Sequence, residues 1–163
     1  MLVFKSRINR WLPQSVLAAF VVAGTSAAHA HRETDVPLDE TINVNGIDAM
    51  CTGIGVNERV EAAMRNFPVR IEITGADGQY LGDHIVEISG ANLDGTVAVH
   101  CQGPWVLFNV PAGQYSVTSF PMHDGLSKTV SVNVSGADQD RVVVNFPELG
   151  GVVSPTQQSA ASQ

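Results

Sequence analysis

The chain has few of the residue combinations from which catalytic and metal sites are built. It contains two cysteines in 163 residues, and they lack the close Cys-x-x-Cys spacing of a thiolate metal site. His100 adjoins Cys101, but adjacent residues of a strand point to opposite faces of a sheet, which argues against a catalytic Cys–His pair. No other catalytic constellation stands out, so the sequence predicts a protein that is not an enzyme.

The chain also lacks an apolar run long enough to span a bilayer. Its most apolar stretch, around residues 16–23, is about half of the ~20 residues that a membrane-spanning helix needs. Basic residues precede this stretch and small residues follow it, which is the pattern of a secretory signal. We therefore expect residues 1–30 to be a signal peptide cleaved after Ala30 or, alternatively, after Ala28. The mature chain would then be periplasmic, with no membrane span.

Basic residues are scarce. The sequence has nine lysines and arginines against sixteen aspartates and glutamates. Three of the basic residues and none of the acidic ones precede residue 31, so the mature chain carries a formal net charge of −10. A chain of this charge repels phosphate groups, which argues against a nucleic-acid partner. A protein or a carbohydrate partner stays open.

The two cysteines are predicted to form a disulfide. In an oxidising compartment, a single pair of cysteines most simply cross-links. Val97, Val99 and Cys101 alternate with other residues and so share one face of a strand. This face would point the Cys101 sulfur toward the core, where it can meet Cys51.

The organisation of the chain indicates one β domain between two flexible ends. Residues 31–45 and 150–163 are polar and show no sustained periodicity, so a flexible N-terminal segment and a disordered tail are expected. Between them, residues 46–149 carry short alternating patterns separated by glycine, aspartate and asparagine turns. The pattern predicts an antiparallel seven-stranded sandwich. One short helix, capped by Asn57 and ending near Asn66, precedes the first main strand.

The most specific stretch is GPWVLFNVPAGQYSVTSF, residues 103–120. It resembles the pattern "G-x-aromatic-x-apolar-x-x-apolar-Pro-x-Gly-x-Tyr-x-Val" of carboxypeptidase regulatory-like domains, which have a transthyretin-like, or prealbumin-like, sandwich. The resemblance extends back through GQYLGDHIVEISG and forward through GLSKTVSVNV. The segment GIGVNERVEAAM, residues 53–64, further resembles a small exported proteobacterial subgroup of unknown function.

This resemblance implies a noncatalytic accessory or binding module. Among transthyretin-like enzymes, the hydroxyisourate hydrolases end in a Tyr-Arg-Gly-Ser motif, whereas the last strand of this chain reads RVVVNFPELGG. That departure makes a hydrolase the less favoured alternative. Tyr115 is expected to bury its ring and to bond a backbone group through its hydroxyl, and Pro111 and Gly113 are expected to shape a tight hairpin.

The parity of the strand around Trp105 suggests a surface. If Trp105 and Leu107 face the core, Val106 and Phe108 face outward. Val106 and Phe108 are then the candidates for a partner surface, or for a face covered by the helix.

A copper site is the alternative function. If cleavage falls after Ala30, His31 has a free α-amino group and an imidazole that could chelate copper, as in a histidine brace. His84, His100 or His123 would have to complete such a site. If cleavage falls after Ala28 instead, His31 is the third residue, which suits an amino-terminal copper chelate. The main prediction has no cofactor.

Overall fold

The structure is a computed structural model that describes residues 33–53, 55 and 57–150. The predicted signal peptide, His31 and nearly all of the predicted C-terminal tail lie outside these residues. The described part forms one helix, α1, and ten strands. They are β1 (Thr34–Asp35), β2 (Thr41–Val44), β3 (Ile47–Thr52), α1 (Glu58–Met64), β4 (Val69–Thr74), β5 (His84–Gly90), β6 (Val97–Cys101), β7 (Trp105–Asn109), β8 (Gly113–Pro121), β9 (Lys128–Val134) and β10 (Asp140–Asn145).

The strands form two five-stranded sheets. The first sheet has the order β1-β6-β5-β8-β9, and the second has the order β10-β4-β7-β3-β2. Buried side chains of both sheets belong to one apolar core, in which Val86, Ile88 and Val117 of the first sheet join Ile71 and Phe108 of the second. The described chain is therefore mainly β and sandwich-like. None of its helices is long and apolar enough to cross a membrane.

The predicted strand count and direction need correction. Seven strands, β4 to β10, follow the helix, but three more precede it. Both sheets are mixed, because β1 pairs with β6 in parallel and β10 pairs with β4 in parallel. The two strands of each parallel pair are not joined by a hairpin, because strands of the other sheet lie between them along the chain. The chain connection therefore does not require either pair to be antiparallel.

The segment predicted to be flexible, residues 31–45, contains two of the additional strands. Asn45 and Gly46 both have positive φ, at 52° and 84°, and they join Val44 to Ile47 in a two-residue hairpin. Asn-Gly is the sequence most typical of such a turn. Val36 and Val44 are buried in the core, so apolar burial adds to the turn in fixing this segment on the two sheets.

Helix α1 covers the outer face of the second sheet. Asn57 caps it as predicted, with the side-chain oxygen accepting a hydrogen bond from the Val60 backbone N–H. Its buried side chains, Val60 and Met64, form a second apolar cluster with Met50 and Leu107. The helix therefore gives the second sheet a covered face on each side.

The structure reverses the predicted facing of the Trp105 strand. Val106 and Phe108 have no exposed surface and lie in the main core, so they cannot be a partner surface. Leu107 and Trp105 instead pack in the cluster beneath the helix. All four side chains are apolar. A strand that is buried on both faces shows no alternation of polar and apolar residues, so its sequence does not identify the face that meets the core.

The connection from β7 to β8 also differs from the prediction. It is not a hairpin, because Asn109 ends a strand of the second sheet and Gly113 begins a strand of the first. Tyr115 is buried and its hydroxyl donates to the Pro111 carbonyl oxygen over 2.7 Å. This bond confirms the expected role of Tyr115 and fixes the crossover between the sheets.

The predicted disulfide is confirmed. Cys51 of β3 and Cys101 of β6 are joined, with their Cα atoms 5.4 Å apart. The bond links the two sheets covalently across the core. The N-terminal segment passes over it, since Asp35 pairs with β6 and the Asp39 N–H donates to the Cys51 carbonyl oxygen.

Removing the disulfide should lower the free energy of unfolding by about 4 kcal/mol, because the cross-link closes a 50-residue loop and restricts the unfolded chain. Guanidinium unfolding of the oxidised protein and of the Cys51→Ser/Cys101→Ser variant measures the difference. Reduction of the oxidised protein should reproduce the variant. Coinciding unfolding curves for the oxidised protein and the variant would contradict the prediction.

Candidate binding groove beside the helix

A groove of about 880 Å³ lies where the end of α1, the outer face of the second sheet and the loop before β10 meet. We call it the helix groove. Its volume is in the range of ligand-binding sites in proteins. The side chains that define it come from all three elements and are Glu61, Met64, Arg65, Asn66, Phe67, Pro68, Arg70, Trp105, Asn109, Val110, Ala137, Asp138 and Gln139.

Gln139 holds the loop before β10 against the end of the helix. Its side-chain amide donates to the Met64 and Phe67 carbonyl oxygens over 2.7 and 2.9 Å. The Met64 carbonyl ends α1 and the Phe67 carbonyl follows it, in the region where backbone acceptors lack partners within the helix. One glutamine therefore satisfies the helix end and fixes one wall of the groove.

Two hydrogen-bond donors beside the groove have no partner. Arg70 Nε and Trp105 Nε1 are buried, and they are the only buried side-chain nitrogen or oxygen atoms of the described residues that make no hydrogen bond. Buried polar groups are nearly always paired, so each exception requires an explanation. Both residues line the helix groove, which places the two unsatisfied donors in a single location.

The Trp105 ring is enclosed by polar and aromatic neighbours. The Arg70 guanidinium carbon lies over the ring, 5.0 Å from its centroid, at a distance that allows a cation–π interaction. Tyr80 meets Trp105 in a T-shaped contact with 5.6 Å between centroids. Trp105 thus packs beneath the helix rather than in the main core, and its ring is not an open platform.

Glu72 anchors this arrangement from beneath. Its side chain is 1% exposed, although it lies on the outer face of the second sheet. It accepts hydrogen bonds from the Arg141 Nε and Nη2 groups at 2.6 and 2.5 Å and from the Tyr80 hydroxyl at 3.1 Å, and it forms an ion pair with Arg70 Nη2 at 2.8 Å. Burial raises the pKa of Glu72, but the bonds from Arg141 and Tyr80 and both arginine charges outweigh it and lower the pKa overall.

The Glu72 cluster was not predictable from local sequence. Arg70 and Glu72 share a strand face, and this pairing is visible as alternation. Arg141 is almost seventy residues away, and it reaches Glu72 because β10 pairs in parallel with β4, in a register that sets Arg141 beside Arg70. The predicted antiparallel fold did not contain that neighbour.

Of the histidines considered for a copper site, His100 and His123 both contact Asp83, whereas His84 is buried against Ser119. His31 lies outside the described residues, so its role stays a prediction. His84 is buried at the start of β5, where its Nδ1 lies 3.1 Å from the Ser119 hydroxyl. Burial lowers the pKa of His84 to about 4, so it is neutral at neutral pH.

His100 instead joins two carboxylates. Its Nδ1 lies 2.6 Å from Asp35 and its Nε2 lies 2.8 Å from Asp83. Both ring nitrogens donate when the ring is protonated, and the bond to Asp83 is the main reason that the pKa of His100 is raised. His123 also reaches Asp83, over 3.2 Å. His100 thereby fastens β1 to the first sheet.

Within the ranges that the structure describes, no three His, Cys, Asp or Glu side chains are placed to hold one metal ion. One spacing of the His-x-x-Glu type was missed in the sequence. It runs from His84 to Glu87, but on β5 His84 is buried whereas Glu87 follows the outward alternation. Residues three apart on a strand face opposite sides, so the spacing does not form a ligand pair.

Comparisons with known proteins place this chain in no family. The sequence matches no protein-family model and no curated protein. The geometry of the helix groove is therefore the basis for a functional assignment.

Replacing Glu72 with glutamine should lower the free energy of unfolding by roughly 2 kcal/mol or more, because two guanidinium groups lose their common anion. Denaturant unfolding at neutral pH measures the loss. Glu87→Gln, on the outer face of the first sheet, is the matched control and should change stability by less than about 0.5 kcal/mol. Equal effects of the two substitutions would contradict the assigned role of Glu72.

The His100 contacts should make stability depend on pH. Because the folded-state pKa of His100 is raised above 6.5, its contribution is complete below the unfolded-state pKa and is lost as pH rises through the folded-state value. The unfolding free energy of wild type minus that of His100→Gln should be largest near about pH 5.5 and decline toward about pH 9.

Chemical unfolding across this pH range measures the difference between wild type and His100→Gln. His84 is present in both proteins, so its titration cancels from the difference. His123→Gln is the control, because His123 is 82% exposed and a surface ion pair contributes little. A difference between wild type and His100→Gln that does not vary with pH would refute the proposed contribution.

Proposed function

We propose that this chain is a noncatalytic, exported binding module of the carboxypeptidase regulatory-like type, with a transthyretin-like sandwich, and that it works in the periplasm. The helix groove is its binding site. Two observations support the type: seven strands follow the helix, and residues 103–120, which carry the resemblance, form β7, β8 and the crossover that the Tyr115 bond fixes.

One observation supports the binding site above the others. Arg70 Nε and Trp105 Nε1 are buried donors without partners, and both residues line the same groove. An unpaired buried donor costs roughly 1–3 kcal/mol. A ligand that supplies acceptors there recovers this free energy on binding.

The surroundings favour binding over catalysis. Glu72 is held ionised by Arg70 and Arg141, so its lowered pKa is unsuited to a general acid or base at neutral pH. The groove presents no histidine or cysteine side chain among its lining residues. Its contacts can orient a ligand but offer no activated nucleophile.

Trp105 provides a specific test. The chain from His31 onward contains a single tryptophan, so the indole N–H gives one NMR signal. The protein is titrated separately with N-methylacetamide, acetate, inorganic phosphate and glucose. At least one probe should shift the indole signal saturably, because the unpaired N–H gains an acceptor.

The control compares two alanine-to-phenylalanine substitutions at exposed positions. Ala137→Phe fills the groove and should abolish the shift, whereas Ala91→Phe lies outside it and should preserve the shift. If no probe moves the signal, or if Ala137→Phe responds like wild type, the helix groove is not the binding site.

A further inference from the structure

We propose that the helix groove binds an extended, uncharged apolar peptide segment, whose backbone carbonyl oxygens accept hydrogen bonds from Arg70 Nε and Trp105 Nε1. This inference rests on the proposed function and specifies its ligand. Arginine Nε–H and indole N–H groups can only donate. The ligand must therefore present acceptors at the place where the two donors lie.

The charges of the groove favour an uncharged acceptor. Arg65 and Arg70 line it together with Glu61 and Asp138, so the lining residues carry no formal net charge. Behind Arg70, the Glu72 carboxylate offsets the Arg141 guanidinium. An anionic ligand would thus meet no excess positive charge. A peptide carbonyl is a strong acceptor without a charge of its own.

The contacts that the Trp105 ring makes with Arg70 and Tyr80 argue against a sugar as the ligand. A pyranose that stacks on tryptophan needs an open ring face, but the Arg70 guanidinium lies 5.0 Å above this ring and Tyr80 meets it in a T-shaped contact. The Trp105 N–H is buried and has no partner within the described part of the chain. Recognition by this residue is therefore through a hydrogen bond rather than through stacking.

The rest of the lining suits the side chains of a peptide. Met64, Phe67, Pro68 and Val110 supply apolar surface around the donors. A volume of about 880 Å³ is near the upper end of the range for small-molecule sites, so a single small amide would leave most of this surface uncovered. A segment of several residues fills it and buries apolar area, which adds to the affinity.

Binding requires a small movement of Arg70. Both donor nitrogens are covered by protein atoms, whereas the Arg70 side chain as a whole is 24% exposed. The proposal therefore requires that the Arg70 guanidinium shift across the Trp105 ring on binding, so that both N–H groups become accessible to the peptide while Arg70 Nη2 keeps its contact with Glu72.

The experiment titrates the mature protein with acetyl-Val-Leu-Pro-Val-amide and follows the Trp105 indole and Arg70 Nε–H signals by NMR. Both signals should move downfield along one saturable isotherm. Because no net charge is involved, the Kd should change less than about twofold between about 50 and 500 mM NaCl. Acetate, inorganic phosphate and glucose should leave both signals in place.

Two arginine-to-lysine variants distinguish the effect of the Arg70 Nε–H donor from the effect of the positive charge. Arg70→Lys keeps the positive charge but lacks the Nε–H, and it should weaken peptide binding by about tenfold or more. Arg59→Lys changes an exposed arginine of α1 that does not line the groove, and its Kd should stay within about twofold of wild type. Equal Kd values for Arg70→Lys and wild type would overturn the proposed contact.

The outcomes distinguish this inference from the function on which it rests. Saturable binding of acetate or phosphate, weakened by salt, or binding of glucose, would overturn the peptide assignment and leave a binding groove. A peptide that does not bind would also overturn the peptide assignment, whereas a peptide that binds equally well to Ala137→Phe would overturn both proposals. If all probes leave Trp105 unmoved, both proposals fail.

Discussion

The second sheet must be covered on both faces, and the main features of the molecule follow from this constraint. Its inner face packs against the first sheet in the common core. Its outer face is covered in two ways, by apolar contacts with α1 over β3 and β7, and by the ion cluster around Glu72 over β4 and β10. The helix groove lies at the boundary between these two kinds of cover.

The ion cluster explains how a charged strand face can be buried. Glu72 has four polar contacts with three neighbouring side chains, which replace its hydration, and a buried charge is tolerated only with such partners. Arg70 serves both sides of the boundary, since it pairs with Glu72 and lies over Trp105. Its remaining Nε–H is the group left without a partner. The unsatisfied donor is thus a consequence of using one arginine for two contacts.

Much of the fold was predictable because its signals are local. The Asn57 cap and the inward position of Cys101 each depend on residues within a few positions of one another, and the structure confirms them. The Asn45-Gly46 hairpin was also locally encoded, but the polar residues around it favoured a flexible segment instead.

The candidate site was not predictable, because its residues meet only through tertiary structure. Trp105 was recognised as a packed residue, but its strand is apolar on both faces, and alternation could not decide which face met the core. Gln139 contacts the helix end beside the groove, and Arg141 contacts Glu72. Each contact spans about seventy residues of sequence. No local pattern marks either residue as a neighbour of the helix.

The parallel pairing of β10 with β4 determines when the groove can exist during synthesis. The last strand of the domain docks against the first strand after the helix, and the Gln139 contact with the helix end spans 75 residues. Contacts of such long sequence separation form late in folding. A chain whose β10 has not yet docked therefore has neither the Gln139 wall of the groove nor the Arg141 partner of Glu72. The helix groove is thereby complete only in molecules whose last strand is in place.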